Sequence, residues 1–514
     1  MARRRVFAAG ATVAAWAIVA GAPAAAQRRG DPPPPSAMRA ARGGTRVEQR
    51  AQGDRPPLEA VASFDGLGAG FDGVQPAQPF RNPSDNALAV GPDHVFQIVN
   101  SRYAIFTKKG VRFDTTGKVL VGSTPTNALF LGLGGPCEAR TNGDAIVKYD
   151  QLADRWVVVM PIFRRPANDS TGPYAMCYAV SRTPDPLGPY YLYEFKRPLF
   201  PDYPRLGVWP DGYYLGTSTG DDVIEKHVCV ADRTRMLRGL GATEQCRIIK
   251  DVNFLNPADI DGSATPPAGA PALVFAAGGT QLRGVLEDDG VYWWAMHVDW
   301  DDPSRTTLDG PHKITVAPYH YLCDGQLTSC VPQPDTSRRL DAQGDKLMNR
   351  VTYRRIGNRE SVVAVHSVNT ATGGGGVRWY EFRLDARRAP VLHQQGTFAP
   401  DSSFRWMASA GMDAAGNIGI GYSFGGVPHY AGQRFAARLD ADPPGMLGFR
   451  ESVIASGEAA QRNAFRWEDY TALAIDPSDD CTFWYVGDYV ARGAASYATR
   501  IAAFRVPGCS AARR

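Results

Sequence analysis

Apolar residues that alternate with polar ones recur along the chain in short segments separated by tight turns. The clearest copies are residues 202–211 and 469–478, which share Asp-Tyr, then Leu, a small residue, an aliphatic residue and Pro at matching positions. The same ending occurs at residues 88–93. An alternating strand, a turn containing Pro, Asp or Gly, and a second apolar strand predict a β-hairpin.

Weaker copies of this unit begin near residues 145, 257, 351 and 408. The resulting seven hairpins lie about 50 to 90 residues apart, which is typical of propeller blades. Further apolar segments supply a third strand in each unit and a fourth strand in six units, and residues 58–64 fit the missing outer strand of the last unit. The pattern predicts an all-β fold, a single seven-bladed β-propeller of four-stranded blades closed by an N-terminal strand.

Export is predicted by residues 1–26. Residues 3–5 are arginines, residues 6–19 are apolar, and residues 24–26 form a small-residue cleavage site, which together indicate a signal peptide. The arginines also loosely resemble the twin-arginine pattern, so the choice between the general and the twin-arginine export routes stays open. We expect a secreted or periplasmic protein without a membrane span, because no later apolar run is long enough.

Composition divides the rest of the chain. Residues 27–57 are rich in Pro, Arg, Gly and Gln and are expected to be a disordered spacer. A uniform aromatic, Gly-rich and Pro-rich texture predicts one propeller domain over residues 58–509, followed by a disordered tail at 510–514. The formal net charge is only +4, and three of those charges lie in the signal peptide, so nothing favours a nucleic-acid partner. We expect a monomer that binds polysaccharide or another extracellular ligand.

Eight cysteines in an exported chain indicate four disulfides. Their positions on the predicted blades make four local pairs: Cys137–Cys177, Cys229–Cys246, Cys323–Cys330 and Cys481–Cys509. The chain contains no Cys-x-x-Cys pair, which argues against thiolate metal binding. No cofactor is predicted, and the sequence leaves the metal status open, including a structural calcium ion.

The loops that enter the first strands are long, whereas most turns at the opposite end are tight. This asymmetry predicts a ligand site at one mouth of the central channel. Phe-Arg-Trp recurs there at residues 404–406 and 465–467, and an arginine beside a tryptophan suits an acidic or sugar ligand. The alternative is that the aromatic residues pack between blades and the arginines hold loop carbonyls. The candidate binding residues are Arg405, Trp406, Arg466, Trp467 and Arg140.

Carboxylates in these loops are candidate catalysts. Hydrolysis of a glycoside uses one protonated and one ionised carboxyl group, and Glu468 with Asp345 is the predicted pair, with Asp202 in reserve. A lyase would instead neutralise a uronate with Arg405 or Arg466 and abstract a proton with Tyr203 or His320. Each of these residues has the alternative role of a hydrogen-bonded loop residue.

Four segments resemble a group of exported bacterial propeller proteins without an assigned activity: Phe64-Asp-Gly-Leu67, Tyr149-Asp-x-x-x-x-Arg155-Trp156, Asp202-Tyr-Pro-x-Leu-Gly-Val-Trp-Pro-Asp-Gly212 and Arg466-Trp-Glu-Asp-Tyr470. The resemblance covers most of the mature chain and implies its fold and compartment, but it transfers no catalytic residue. The architecture is more loosely similar to sialidase-like and polysaccharide-lyase propellers, although the Ser-x-Asp-x-Gly-x-Thr-Trp boxes of sialidases are absent.

The leading hypothesis is therefore a secreted carbohydrate-active propeller, either a glycoside hydrolase or a polysaccharide lyase, with its site at the mouth of the channel. The alternative is a non-catalytic extracellular or envelope propeller that binds a ligand or a protein. Two carboxyl groups that face each other without cationic partners favour the enzyme, whereas carboxylates paired with arginines favour binding or structure.

Overall fold

A computed structural model describes residues 40–510 except 75–79, 164–173, 198, 219–225, 280–285, 287 and 326–328. The predicted signal peptide, part of the predicted spacer and residues 511–514 lie outside this part. Helices in the described part are short: α1 (Gly135–Ala139), α2 (Arg233–Met236) and the 3-10 turns Gly44–Val47, Thr126–Phe130, Pro303–Arg305 and Leu322–Asp324. None of these helices is long and apolar enough to span a bilayer.

β-Strands make up most of the described chain. Two N-terminal strands, β1 (Glu48–Gln49) and β2 (Ala60–Asp65), precede the sheets. Three consecutive four-stranded sheets follow: β3 (Ala87–Val90), β4 (His94–Val99), β5 (Arg102–Thr107) and β6 (Val119–Pro125); β7 (Ile146–Asp150), β8 (Arg155–Ile162), β9 (Ala175–Ser181) and β10 (Tyr190–Lys196); β11 (Asp202–Trp209), β12 (Gly212–Ser218), β13 (Lys226–Ala231) and β14 (Glu244–Ile249).

The second half of the chain repeats this organisation. Its strands are β15 (Asn256–Asp261), β16 (Ala272–Gly278), β17 (Gly290–His297) and β18 (Thr307–Ile314); the short pair β19 (Ser329–Val331) and β20 (Leu340–Asp341); β21 (Val351–Ile356), β22 (Arg359–Asn369), β23 (Gly375–Leu384) and β24 (Pro390–Phe398); β25 (Phe404–Met412), β26 (Ile418–Gly426), β27 (His429–Arg438) and β28 (Ser452–Ala455); and β29 (Ala472–Ile475), β30 (Thr482–Tyr489) and β31 (Ala498–Arg505). Parallel pairing of β15 with β21 joins two four-stranded units, and β1 adds to β24 at their outer edge.

The first strands of successive units contact one another around a ring. β3 contacts β7, β7 contacts β11, β11 contacts β15, and the series continues through β21 and β25 to β29, which returns to β3. The remaining strands of each unit lie progressively farther from this ring, so the fold is an all-β propeller built of four-stranded sheets around a central channel. A short turn at Pro210 and Asp211 joins β11 to β12. Because Pro and Asp favour tight turns, residues of this kind fold each repeated strand pair into a hairpin.

The N-terminal strand closes the last sheet as the sequence predicts. β2 pairs antiparallel with β31, outside β30 and β29, with Phe64 opposite Ile501 and Asp65 opposite Arg500. The two ends of the chain therefore share one sheet. Opening of the ring at this point requires loss of these backbone hydrogen bonds.

The four predicted disulfides are confirmed: Cys137–Cys177, Cys229–Cys246, Cys323–Cys330 and Cys481–Cys509. Their Cα atoms lie 5.8, 4.0, 5.3 and 5.7 Å apart, in the same order. Cys229 and Cys246 face each other on neighbouring strands β13 and β14. Each disulfide thus staples segments that already lie side by side.

The structure differs from the expected disordered spacer at residues 44–57, which run along the outer edges of two sheets. The Gln49 side chain makes two hydrogen bonds with the backbone of Leu447, at 2.9 and 2.8 Å. The Gln52 side chain accepts a hydrogen bond from the Glu451 backbone N–H at 2.9 Å. Polar side chains that bond to exposed sheet edges order a segment that has little apolar surface to bury.

Large aromatic side chains fill the space between neighbouring sheets, where Trp156, Trp209 and Trp379 are at most 1% exposed. Glycines on the facing strands make this packing possible. A Cβ atom on Gly421 would lie 2.1 Å from the Tyr485 ring, so β26 can approach β30 only with glycine at this position.

The Cys481→Ser/Cys509→Ser double variant tests how much the last sheet contributes to stability. The pair closes a 28-residue segment, and its loss should lower the free energy of unfolding by about 2–5 kcal/mol in urea titrations. The Cys323→Ser/Cys330→Ser variant is the control, since it opens only a 7-residue segment and should cost roughly 1 kcal/mol less. An equal or larger loss in the control variant would contradict this expectation.

Candidate functional site at the channel mouth

The channel mouth is the end of the ring at which the first strands begin. Asp85 and Asp144 stand two residues before β3 and β7, Asp202 begins β11, and Asp469 precedes β29. Asp85, Asp144 and Asp469 have positive φ angles of 48°, 56° and 67°, a conformation that Asp tolerates better than most residues. Because the first strands are neighbours around the channel, these four aspartates converge, and we call them the mouth carboxyl cluster.

Three members of the mouth carboxyl cluster touch in a row. The Asp144 carboxyl group lies within hydrogen-bonding reach of Asp85 on one side and Asp202 on the other. The backbone N–H of Tyr203 also donates to Asp144 Oδ2 at 3.3 Å. Asp85 is buried, whereas Asp144 and Asp202 are half-buried and reach the surface.

Burial and mutual repulsion determine the ionisation of this row. Burial, and then the charge of Asp144, raises the pKa of both Asp85 and Asp202 well above the ordinary range. Burial and the charge of Asp469 also raise the pKa of Asp144, but hydrogen bonds from Asp202, Asp85 and the Tyr203 N–H oppose that rise. The pKa of Asp144 is raised less than those of its neighbours, so Asp144 ionises first and accepts hydrogen bonds from the protonated Asp85 and Asp202.

Arg466 lies beside the fourth member of the cluster. Its guanidinium donates to Asp341 Oδ2 at 2.9 Å and to both oxygens of Asp469. The Arg466 side chain is 27% exposed, so it borders the solvent at the mouth. Burial raises the pKa of Asp341 to about 7 even though Arg466 opposes the rise.

Two cationic side chains contact the Tyr203 ring below the mouth. Its ring lies 3.8 Å from the Arg205 guanidinium and 4.9 Å from the Lys346 ammonium, and its hydroxyl donates to the Asp469 carbonyl. The Lys346 ammonium forms an ion pair with Asp345 at 2.9 Å. Tyr203 and Asp345 are only 5% and 4% exposed, so these two predicted catalysts lie in the wall of the channel rather than on its surface.

The Glu468 side chain points between two sheets instead of into the mouth. It is fully buried and accepts hydrogen bonds from Ser423 Oγ at 2.6 Å and from the backbone N–H of Asp488. Burial and the charge of Asp488 raise the pKa of Glu468 well above the ordinary range. The predicted pair of Glu468 and Asp345 is therefore not brought together at an exposed surface.

Arg405 belongs to a separate charge cluster and not to a shared pocket with Arg466. Its guanidinium is buried and donates to Asp401 at 2.9 and 3.0 Å and to Glu451 at 2.8 and 2.9 Å. Trp406 and Trp467 are both fully buried, with ring centroids 6.3 Å apart. These three placements match the alternative interpretation, in which the repeated Phe-Arg-Trp segments pack the sheets together.

The last two predicted site residues occupy positions on the flanking loops. Arg140 caps α1, with its backbone N–H bonded to the Pro136 carbonyl at 3.1 Å. The His320 carbonyl accepts the Asn369 N–H at 2.9 Å at the end of β22. Both side chains are half-buried.

Sequence reasoning missed Asp85 and left Asp144 and Asp469 outside the candidate set. The available signal was positional: in five units an aspartate stands at, or up to three residues before, the start of the first strand, and four of these five form the cluster. Only the ring arrangement shows that such equivalent positions face one another.

One group of residues has ligand atoms close enough together for a metal ion: Cys229, Glu244 and Cys246, within 4.8 Å in the described part of the chain. The two cysteines form a disulfide, which leaves no thiolate to coordinate a cation. This group therefore does not fit a metal while it is oxidised.

Comparisons with known proteins found no matching family model and no matching curated protein. Solved structures that align include a polysaccharide lyase of family PL25, an ulvan lyase, with 10% identity over 91% of this chain and 96% of that chain at a TM-score of 0.41. The extracellular domains of Drosophila Semaphorin 1b align with 8% identity over 88% of both chains at a TM-score of 0.37. An exo-β-1,3-galactanase of Phanerochaete chrysosporium aligns with 8% identity over 86% of this chain and all of that chain at 0.29. Alignments this divergent assign no family and no residue role.

Arg405→Ala tests the structural role of that arginine. The substitution leaves Glu451 buried without its cation, and removal of one partner of a buried ion pair should lower the free energy of unfolding by about 3–5 kcal/mol in urea titrations. Arg492→Ala, which breaks an ion pair whose arginine is 85% exposed, is the control and should change stability little. A stability of Arg405→Ala equal to the control would show that the buried cluster is not structural.

Asp488→Asn tests the buried pair that Asp488 forms with Glu468. Burial raises the pKa of Asp488 from its ordinary value to about 7, so the folded protein holds a proton that the unfolded chain releases at lower pH. This stabilisation is complete near pH 4 and is lost as the pH rises towards 7. The variant should lose less stability than wild type between pH 5 and pH 8 in urea titrations. Asp288→Asn, at a residue with a 76% exposed side chain, should keep the wild-type pH dependence, and an unchanged pH dependence in Asp488→Asn would contradict the assignment.

Proposed function

We propose that this chain is an exported, seven-bladed propeller enzyme that cleaves an acidic polysaccharide at the channel mouth by β-elimination. The observation that carries the proposal is the contact between the carboxyl groups of Asp144 and Asp202, two residues that are half-buried at the mouth. Perturbed, coupled carboxyl groups at the mouth of a channel are typical of acid–base catalysis. The disulfides and the predicted signal peptide support an extracellular substrate.

The spacing of the pair favours elimination over hydrolysis. Glycoside hydrolases place their two carboxyl groups about 5–5.5 Å or about 6.5–9.5 Å apart, on opposite sides of the sugar. Asp144 and Asp202 lie within hydrogen-bonding reach, which leaves no room for a sugar between them. An acid and a base that lie side by side instead suit an elimination in which the base removes a proton from the sugar and the acid protonates the leaving oxygen on the same face.

The roles follow from the ionisation of the two groups. The Asp144 carboxylate takes the proton from C5 of a uronate, the C5–H electron pair forms the C4=C5 double bond, and the C4–O bond breaks. The leaving oxygen takes the proton of Asp202. Proton transfer from Asp144 to Asp202 across their contact then restores the starting state.

Arg466 is the proposed partner of the substrate carboxylate, because abstraction of the C5 proton requires that charge to be neutralised. Its 27% exposed side chain borders the cluster. Tyr203, Arg205 and Lys346 act as positioning residues that hold the wall beneath the mouth. Protonated Asp85 donates a hydrogen bond to Asp144 and thereby stabilises the ionised form of Asp144.

A non-catalytic binding propeller is the second candidate. Full pairing of Arg405 with Asp401 and Glu451, and the pairing of Arg466 with Asp341 and Asp469, favour it, because carboxylates already neutralise both arginines. In that case the mouth would bind its ligand without turnover. The enzyme produces new ends in the polysaccharide that it binds, whereas the binding protein leaves the polysaccharide intact.

Incubation of the purified protein with a panel of polyuronates and neutral polysaccharides tests the proposal. We expect reducing ends together with the ultraviolet absorbance of unsaturated uronate from one or more polyuronates. Asp202→Asn and Asp144→Asn should each lower kcat by about 10²–10⁴-fold, the usual contribution of acid–base catalysis. Because the pair works with one shared proton, kcat/KM should fall on both sides of an optimum as the pH changes.

Asp440→Asn is the matched control, since Asp440 pairs with Arg359 beside the turn between β25 and β26, at the end of the ring opposite the mouth, and its loss should leave turnover unchanged. Reducing ends without unsaturation would indicate hydrolysis and overturn the elimination mechanism. Binding of a polyuronate without new chain ends would favour the second candidate.

A further inference from the structure

The outer edge of the sheet β7–β10 is unusually aromatic. β10 reads Tyr-Tyr-Leu-Tyr-Glu-Phe-Lys, and its first six residues are half-exposed although it is the last strand of its sheet. Proteins normally protect such edges with charges or short strands. A half-exposed row of tyrosines therefore calls for a functional explanation.

A groove of about 430 Å³ follows this edge, and we call it the β10 groove. Tyr190–Tyr193 form one side, and the loop Gly239–Gly241 that follows α2 forms the other. Its volume falls within the range of about 300–1,000 Å³ that is usual for small-ligand sites. Gly239 has a φ of 67°, and a Cβ atom there would lie 2.3 Å from the Tyr191 ring, so the loop approaches the tyrosine with bare backbone.

Two exposed arginines border the β10 groove. The Arg182 guanidinium lies over the Tyr191 ring at 4.6 Å, and Arg235 donates through Nε to the carbonyl of Gly241 on the opposite rim. Neither arginine forms an ion pair with a carboxylate among the residues that the structure describes. Exposed guanidiniums without acidic partners beside aromatic rings suit an anionic ligand that also stacks on those rings.

We propose that the β10 groove is a second binding site, separate from the channel mouth, for an anionic polysaccharide. Sugar rings contact Tyr191 and Tyr193, and uronate groups pair with Arg182 and Arg235. This inference rests on the proposed function for the choice of a polysaccharide over other anionic polymers. The site increases the time that a long chain stays on the enzyme, while short substrates that reach only the mouth do not use it.

Binding of polygalacturonate, measured by affinity electrophoresis, tests the proposal, and it is carried out on Asp202→Asn protein so that the polymer stays intact. Arg182→Ala and Tyr191→Ala should each weaken binding at least tenfold, whereas Arg182→Lys and Tyr191→Phe should retain most of it. Arg387→Ala removes an exposed arginine from another sheet and is the matched control. Binding of dextran, a neutral polymer, should be absent, and binding of polygalacturonate should weaken as the salt concentration rises.

Equal binding by Arg182→Ala and the Arg387→Ala control would overturn the proposal. Equally tight binding of single-stranded DNA would also overturn it, because the groove would then be a general polyanion surface. The Arg182→Ala variant that keeps Asp202, and is therefore catalytically active, should cleave short oligouronates at the wild-type rate. If Arg182→Ala binds polygalacturonate weakly but still cleaves short substrates, the groove is a site separate from the mouth. If the wild-type protein binds polygalacturonate through the groove but cleaves nothing, the proposed function is wrong while this inference stands.

Discussion

The pairing of β2 with β31 is the constraint on which the rest of the structure depends. Each four-stranded sheet has an apolar inner region that only its neighbours can cover, so the ring has to close for every sheet to be buried on both faces. The last sheet has three strands from the C-terminal part of the chain, and the N-terminal strand completes it. The Cys481–Cys509 disulfide reinforces the same sheet. Closure in this way joins sequence positions more than four hundred residues apart.

Closure also creates the electrostatic problem at the mouth. An aspartate before a first strand is an ordinary turn residue when its sheet is considered alone. When the first strands converge, Asp85, Asp144 and Asp202 come into contact, and like charges in a partly buried site cannot all ionise. Hydrogen bonds in which protonated neighbours donate to Asp144 relieve this repulsion. The same packing that stabilises the ring therefore gives the mouth its chemical character.

The arginines show how burial separates structural from functional charge. Arg405 is fully buried between two carboxylates, and Arg466 is partly exposed between two others. Arg182 is exposed over an aromatic ring and has no acidic partner within the described part of the chain. Buried pairs hold neighbouring segments together, because removal of either member leaves an unpaired charge in the interior. An arginine that stays unpaired at the surface remains available to an external anion. The two sites proposed here lie at the half-exposed and exposed ends of this series.

The sequence by itself determined the repeated hairpins, the closing strand and all four disulfides. Each of these depends on local alternation, turn residues or the pairing of neighbouring strands, as Asp202–Trp209 and Gly212–Ser218 show. The order of residues 44–57 was not predictable, because it comes from side-chain bonds of Gln49 and Gln52 to distant sheet edges. Nor could the sequence separate Glu468, which points between sheets, from Asp469, which faces the mouth, although the two are adjacent. Only the tertiary structure decided this, since the direction of a side chain at the start of a first strand depends on the local backbone turn and on the strands around the ring.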